Sequence, residues 1–406
     1  MKRVVITGIG CVSPYGIGVE SLWRGLSEGR SAIGEIPWLL EAKTQYRNGG
    51  GLLDYLPDTY FSASEQMLFD RATQFALLAC AEAWRQSGLA LTETEAARTA
   101  VYIGTAVGGS DALDAVYRDL YRDDCLTLPP LTVPRAMANA AASHIGLRYK
   151  LCGPSLTIST ACASSTQAIG EAFRLLRYGA IHAAVAGGTD ACLNPLVWRA
   201  WESIRAMAPD TCRPFSRGRR GMVLGEGAGV LVMETLESAR ARGATILAEV
   251  LGYSANCDAG DIVKPSKIGA ARAMAEALQD AELPIAEIDY VNAHGTGTLL
   301  NDRVETAAIR QVLGTQADRI VASSVKSAIG HLMGAAGAVE LIAGLMTFER
   351  DLVPPTLNYQ EADPECDLDC APNAPRFRRV NAMLKNSFAF GGLNTSLVLR
   401  NPEVAT

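Results

Sequence analysis

Leu156-Thr157-Ile158-Ser159-Thr160-Ala161-Cys162-Ala163-Ser164-Ser165 is the stretch from which the rest of this chain is understood. Its first three residues are apolar or β-branched and read as a short buried strand. From Ala163 to Gly179, Ala168, Ile169, Ala172, Phe173 and Leu176 recur at helical spacing, and a glycine closes the run. Cys162 is thus expected between a strand end and a helix N-terminus, where unpaired N–H groups and the positive dipole end favour thiolate over thiol. A thiol suits acyl exchange with another thioester, because the covalent intermediate stays reactive toward a carbanion.

The chain has ten cysteines, and a free cysteine is more often a small buried hydrophobe than a reagent. Cys11, Cys80, Cys125, Cys152, Cys192, Cys212 and Cys257 are assigned to that role. Cys366 and Cys370 have no matching second pair or histidine cluster, so no metal site is expected there. Only four histidines occur, and two follow predicted strands in glycine-flanked segments. Ile288-Asp289-Tyr290-Val291-Asn292 leads into His294-Gly295, and Arg319-Ile320-Val321-Ala322-Ser323-Ser324 leads through Lys326 and Gly330 to His331. Strand ends followed by glycine turns are where open α/β sheets place active groups. His144 and His182 lack that setting and are read as structural. Lys326 gains a functional reading from standing five residues before His331.

With 406 residues, 49% hydrophobic and 20% charged, the chain can bury a large core in one domain or two fused halves. A net charge of -6 argues against nonspecific nucleic-acid binding. No apolar run approaches the roughly 20 residues that span a bilayer, so no membrane contact is expected. Met1-Lys2-Arg3 leads into a glycine-interrupted strand rather than a signal-peptide core, which places the chain in the cytoplasm with reduced cysteines. Strand-like runs near Val4, Val101, Ala183, Val230, Ala248, Tyr290, Ile320 and Ser396 alternate with helical patterns over 65–87, 135–145, 268–281, 302–313 and 334–350. That alternation predicts α/β layers. Gly104, Gly108 and Gly109 follow a strand with the wrong spacing for a dinucleotide loop, and are expected to let the backbone pack close to an acyl pocket.

Taken in order, the motifs resemble one family. Arg3-Val4-Val5-Ile6-Thr7-Gly8-Ile9-Gly10, Thr160 to Ser165, Gly187-Gly188, Arg213-Pro214-Phe215-Ser216 and Val223-Leu224-Gly225-Glu226-Gly227-Ala228-Gly229 are followed by Asn292 to Thr298. The series closes with Lys326 to His331, Gly334-Ala335-Ala336-Gly337, Pro354-Pro355-Thr356 and Asn386-Ser387-Phe388-Ala389-Phe390-Gly391-Gly392. The chain resembles the β-ketoacyl-acyl carrier protein synthases, in the elongating Cys-His-His class that includes class II and polyketide-type ketosynthases. The resemblance implies the α/β thiolase fold, a five-layer αβαβα sandwich built from two similar halves. Residues 1–245 would carry the nucleophile and residues 246–406 both catalytic histidines.

The resemblance also implies roles. Cys162 would accept the acyl chain, and His294 and His331 would hold the thioester carbonyl of a malonyl extender while carbon dioxide leaves. Lys326 would orient this pair, with Glu305 as its carboxylate partner. The backbone N–H groups of Cys162 and Phe390 would form the oxyanion hole. Thr296 and Thr298 match positions that contact pantetheine, Val107 and Trp201 positions that line the acyl pocket, with an interface anchor as the equal alternative for Trp201, and Ala389-Phe390-Gly391-Gly392 the gating loop. No redox cofactor or catalytic metal is expected. The implied partners are an acyl carrier protein and a second subunit, giving either a homodimer or a heterodimer with a chain-length-factor-like chain.

Three departures qualify this pattern. Ala389 replaces the usual glycine, which predicts a stiffer gate. Asp258-Ala259-Gly260-Asp261-Ile262-Val263-Lys264-Pro265 lacks the aromatic-histidine pair and hydroxyl of class II enzymes. Where those enzymes cluster basic residues, this chain has Ser62-Ala63-Ser64-Glu65-Gln66-Met67 and Asp123-Asp124-Cys125-Leu126, which leaves Arg205, Arg213, Arg217, Arg219 and Arg220 as candidate contacts for an acidic carrier. A dedicated carrier, docked partly through a second, non-identical subunit, is the expectation. A thiolase would need a second cysteine in a glycine-rich motif, whereas Cys370 sits between Asp369 and Ala371. An initiating synthase would have Asn in place of His331. A noncatalytic subunit stays open as an alternative.

Overall fold

Ten strands lie in one mixed sheet of the computed structural model, which describes residues 1–40, 42–122 and 127–404. They are β1 (Val4–Ser13), β2 (Thr99–Gly104), β3 (Ser155–Ile158), β4 (Ala183–Asp190), β5 (Gly227–Thr235), β6 (Ala248–Cys257), β7 (Tyr290–Asn292), β8 (Val321–Ser323), β9 (Ala382–Ala389) and β10 (Leu393–Arg400). A short strand, Gly16–Ile17, adds to β1 as a hairpin. From one edge the order is β3-β2-β4-β5-β1-β6-β10-β9-β7-β8. Within each group of five, the strands come in the relative order third, second, fourth, fifth, first. The directions match as well: the outer three strands of each group are parallel, and the rest run antiparallel. Antiparallel pairing of Val4–Ile6 with Ala248–Val250 joins the groups, and residue 245 lies in the connection between them.

Two helices fill the space between the groups. Ser164–Arg177 packs on β4 and β2 and reaches β10 and β6, while Ala336–Arg350 packs on β5 and β1 and reaches β9. Every residue from Ala336 to Phe348 is buried, as expected of a helix apolar all round and held between two layers. The helices approach closely at Gly337, where an added Cβ would lie 2.0 Å from Thr166 Oγ1. Arg71–Ser87 covers the outer face of one group, and Lys267–Asp280 with Leu299–Leu313 covers that of the other. The result is the five-layer thiolase fold.

Local departures from the expected elements have identifiable causes. The helix expected over 65–87 breaks at Phe69-Asp70, where Asp70 turns its carboxylate to the Thr73 N–H and caps a new helix. The helix expected over 135–145 runs instead from Ala140 to Tyr149. The strand expected to be buried, β3, is the outermost of the sheet, and Leu156 is 52% exposed. Among the described residues no helix is long and apolar enough to cross a membrane.

Candidate active site

β3 ends at Ile158, and the chain turns through Ala161 at φ 49° before a short 3-10 turn over Ala161–Ala163 delivers Cys162 to the N-terminus of Ser164–Arg177. The left-handed region costs a non-glycine residue roughly 1–2 kcal/mol, so this turn is held by its surroundings. The Ser164 hydroxyl supports it, donating to the Ala161 carbonyl at 2.6 Å and accepting the Thr160 N–H at 2.9 Å. Gly104 packs against the backbone at the start of this helix, where an added Cβ would sit 2.3 Å from the carbonyl carbon of Ser164, and Gly104, Gly108 and Gly109 are not in the wall of the cavity that Cys162 lines.

His294 leaves β7 and His331 leaves the short helix Lys326–Ile329, and the two rings meet edge to face with centroids 5.6 Å apart. Cys162 Sγ and one nitrogen of each imidazole all lie within 4.8 Å of one another. The tautomers follow from the partners of the other nitrogens. Met333 donates its N–H to His331 Nδ1 at 3.1 Å, so the ring proton belongs on Nε2, which is buried and has no hydrogen-bond partner. Lys326 Nζ lies 3.3 Å from His294 Nδ1 and donates to the His294 carbonyl at 2.5 Å, which makes Nδ1 the acceptor and again leaves the proton on Nε2. Both rings therefore offer an N–H donor beside the thiol. Burial, with the positive charges of Lys326 and Lys385, holds both imidazoles well below their ordinary pKa and hence neutral.

The carboxylate partner of Lys326 is Glu340, at 2.5 Å, and not the expected Glu305. That approach lies off the axis of a hydrogen bond, so it is a charge pair rather than a directed bond. Glu305 instead accepts the backbone N–H groups of His294 (2.8 Å) and Gly295 (2.7 Å), with Asn386 Nδ2 at 3.3 Å, and so fixes the turn that carries His294. Glu305 thus reaches the turn from the helix Leu299–Leu313 and acts on Lys326 only through its charge.

The expected bias of Cys162 toward thiolate is also reversed. Burial pushes the thiol up to about 12, and the Lys326 cation and the cysteine's own N–H offset only part of that cost. At neutral pH the resting group is the thiol.

Cys162, His294 and His331 line a cavity of about 290 Å³ together with Thr296, Thr298, Trp201 and Phe390. The Thr296 and Thr298 hydroxyls lie 2.9 Å apart. Trp201 and Phe390 pack against each other in the cavity wall, with ring centroids at 5.4 Å and planes tilted by 30°. Val107 is not part of this wall; its N–H bonds Asp190, and its side chain, like that of Trp201, packs on the cluster that includes Trp198, Met207 and Met222. Ala389 ends β9 opposite Leu393 without a positive φ, and Gly391 and Gly392 take the left-handed conformations of the turn, at φ 86° and 69°. An alanine therefore fits its position without backbone strain. Cys162 Sγ and the two imidazole nitrogens have the spacing of a metal site, but the net positive charge of Lys326, Lys385 and Glu340 behind the rings opposes a dication.

Sequence reasoning passed over several groups. Glu340 is the lone acid in an otherwise apolar helix run, which is the signal that would have found it. Lys385 is likewise a charge in a strand buried at all but its last residue. Asp190 collects Thr105 Oγ1 and the N–H groups of Ala106, Val107 and Gly334, tying β2 to the loop after His331.

Of the five arginines considered for docking, three are held within the chain. Arg213 pairs with Asp210 at 2.7 Å, Arg217 with Glu361 at 2.7 Å, and buried Arg219 with Asp363. Arg205 and Arg220 are exposed and line the cavity mouth. Glu65 caps its own helix and pairs with Arg148, and 123–126 lie outside the described residues.

A Cys-His-His site between the halves of a thiolase fold defines a carbon-carbon bond-forming acyltransferase class. Residues 1–239 match the family described as Beta-ketoacyl synthase, N-terminal domain, and residues 247–360 match Beta-ketoacyl synthase, C-terminal domain. The chain belongs to the β-ketoacyl synthase family. It is 44% identical over 401 residues to Nodulation protein E of Rhizobium meliloti (strain 1021), covering 98% of this chain and 99% of the relative. It is 40% identical over 407 residues to 3-oxoacyl-[acyl-carrier-protein] synthase 2 of Synechocystis sp., covering 98% of each. Among solved structures, the ishigamide ketosynthase/chain length factor superposes with a TM-score of 0.92 at 36% identity, over 98% of this chain and 99% of that one. A type II polyketide ketosynthase solved with its acyl-carrier protein and a bound hexaketide gives 0.90 at 31% identity, over 98% and 99%.

Proposed function

We propose that the chain catalyses decarboxylative condensation of an acyl group on Cys162 with malonyl-acyl carrier protein, releasing a 3-oxoacyl product two carbons longer, in fatty acid or polyketide assembly. The observation that carries this reading is the convergence of one thiol and two neutral Nε2–H donors at a single cavity. In the loading step Sγ attacks the thioester carbonyl, the bond to pantetheine sulfur breaks, and the Cys162 proton leaves with the pantetheine thiol. No base is consumed, which suits a site whose ring nitrogens facing the thiol already carry protons. The malonyl thioester then enters with its carbonyl oxygen between His294 and His331. Its carboxylate departs as carbon dioxide, the bond pair becomes an enolate held by the two N–H donors, and the α-carbon attacks the acyl-cysteine. The N–H groups of Cys162 and Phe390 receive the tetrahedral oxyanion, which collapses by expelling the Cys162 sulfur as thiolate, and this takes up one proton from water to return to the resting thiol. Lys326 and Glu305 orient His294, while Thr296 and Thr298 line the path of the pantetheine arm.

Arg205 and Arg220 suit an acidic carrier protein at the cavity mouth. The nine described cysteines are unpaired, which agrees with a reducing cytoplasm. A second reading is that the chain needs a partner subunit for activity. It is favoured by β3, an edge strand with open backbone groups and an exposed Leu156, beside which Leu147 is 72% exposed. Malonyl-carrier turnover by the purified chain, with and without coexpressed candidate subunits, tests both: condensation by the chain alone sinks the second reading, and none under either condition sinks the first.

A further inference from the structure

β9 runs Ala382-Met383-Leu384-Lys385-Asn386-Ser387-Phe388-Ala389, and its first seven residues are buried. A lysine in the middle of such a strand must find a counterion or lose its charge. Lys385 has no solvent exposure, and its Nζ donates to Glu340 Oε2 at 2.7 Å and to the Asn386 carbonyl at 2.6 Å. Glu340 holds Lys326 on its other oxygen. One buried carboxylate thus sits between two buried ammonium groups, and the trio keeps one net positive charge under the paired imidazoles.

We propose that Lys385 is a positioning residue for the condensation: it occupies one oxygen of Glu340, so that Lys326 can turn to His294, and it places a second positive charge beneath His294 and His331. The groups that face it are Glu340 from Ala336–Arg350, Lys326 from the short helix, Glu305 from Leu299–Leu313, and the two imidazoles; its strand neighbours in register, Asn292 and Leu397, are uncharged. Without Lys385, Glu340 would have Lys326 as its sole cation and would draw it away from His294 Nδ1. With Lys385, the ammonium of Lys326 can serve Glu340 and His294 together. The second charge also keeps protons off both rings, which must be neutral to donate from Nε2 and accept at Nδ1. The inference rests on the proposed reaction only for the name of the step affected.

The test is Lys385→Met in the full-length protein, followed by NMR titration of 13C-labelled histidine side chains and by the pH profile of malonyl-carrier decarboxylation. Wild type is expected to keep His294 and His331 neutral into the acid range. In the variant at least one of these rings should titrate about one unit higher, as expected for removal of a nearby like charge. The acid limb of decarboxylation should move the same way, and Lys385→Arg should restore both. A folded Lys385→Met with wild-type histidine titration overturns the proposal, whatever its turnover. Should that variant fail to fold, Lys385→Arg still decides: retained wild-type titration supports a role for the charge, and rings that protonate despite it contradict that role. Because the NMR reading needs no substrate, it fails or succeeds apart from the ketosynthase assignment.

Discussion

Replacing Lys326 with methionine tests the core of the electrostatic account. Nζ lies 3.3 Å from His294 Nδ1, 2.5 Å from the His294 carbonyl and 2.5 Å from Glu340 Oε1, with no solvent exposure. Methionine keeps much of the chain length and removes the charge and all three donors. Nδ1 then loses the partner that holds the proton on Nε2, and loss of one preorganised donor to a developing oxyanion costs about 10²–10³ in rate. The ammonium also opposes imidazolium, so its removal should raise His294 by about one to three units. The sign follows from the folded value lying well below 6.5: the ring that stays neutral in wild type begins to protonate as pH falls, and the acid limb moves to higher pH. Glu340 keeps Lys385, so the stability loss should be smaller than the roughly 3–5 kcal/mol of a buried pair broken outright. Decarboxylation of malonyl-carrier protein by enzyme blocked at Cys162, followed from mildly acid to mildly alkaline pH, reports these effects without the loading step. A folded Lys326→Met with the wild-type rate and an unmoved acid limb would refute the reasoning.

Further outcomes can be checked separately. Because burial pushes Cys162 up to about 12, its alkylation by iodoacetamide, read on the Cys162 peptide, should rise about tenfold per pH unit through the neutral and mildly alkaline range; a plateau near neutrality would show a thiolate at rest. Trp201→Ala removes the ring packed against Phe390 and should shift loading toward longer acyl chains, with each newly buried methylene worth about 0.8 kcal/mol, or roughly fourfold in kcat/KM; an unchanged chain-length optimum would place Trp201 outside the acyl path. Arg205→Glu and Arg220→Glu should raise KM for the carrier protein, more so at low salt, and leave decarboxylation of a pantetheine substrate intact. Ala161→Gly should relieve backbone strain at φ 49° and be neutral to about 1 kcal/mol stabilising in denaturant unfolding, while slowing Cys162 loading as the turn loosens; a clear loss of stability would show that the turn is unstrained.

The nucleophile, the histidines and the layered class were legible because their signals are local: a glycine turn after an apolar strand, an imidazole where the chain has few, a helical period after Cys162. Groups that act across the fold were not. Glu305 was paired with Lys326 on the family resemblance alone, yet the fold brings Glu340 in from the central helix and turns Glu305 to the backbone of residues 294 and 295. The pKa direction of Cys162 was misjudged for a related reason. A helix N-terminus is visible in sequence, whereas the depth of burial that outweighs it is set by layers contributed from both halves. β3 was read as buried from its composition, and its place at the sheet edge depends on strand order, which composition does not encode. Its open edge is where a second subunit would complete the burial the residues imply.

The central claim is that Cys162 carries the growing chain, and intact-mass analysis after incubation with acyl-carrier proteins of several lengths tests it most directly, on wild type and Cys162→Ala, alone and with coexpressed candidate subunits. The account predicts one acyl adduct per chain on wild type, with a chain-length optimum, and none on Cys162→Ala. Adducts that persist in Cys162→Ala, or none on wild type under any of these conditions, would contradict it.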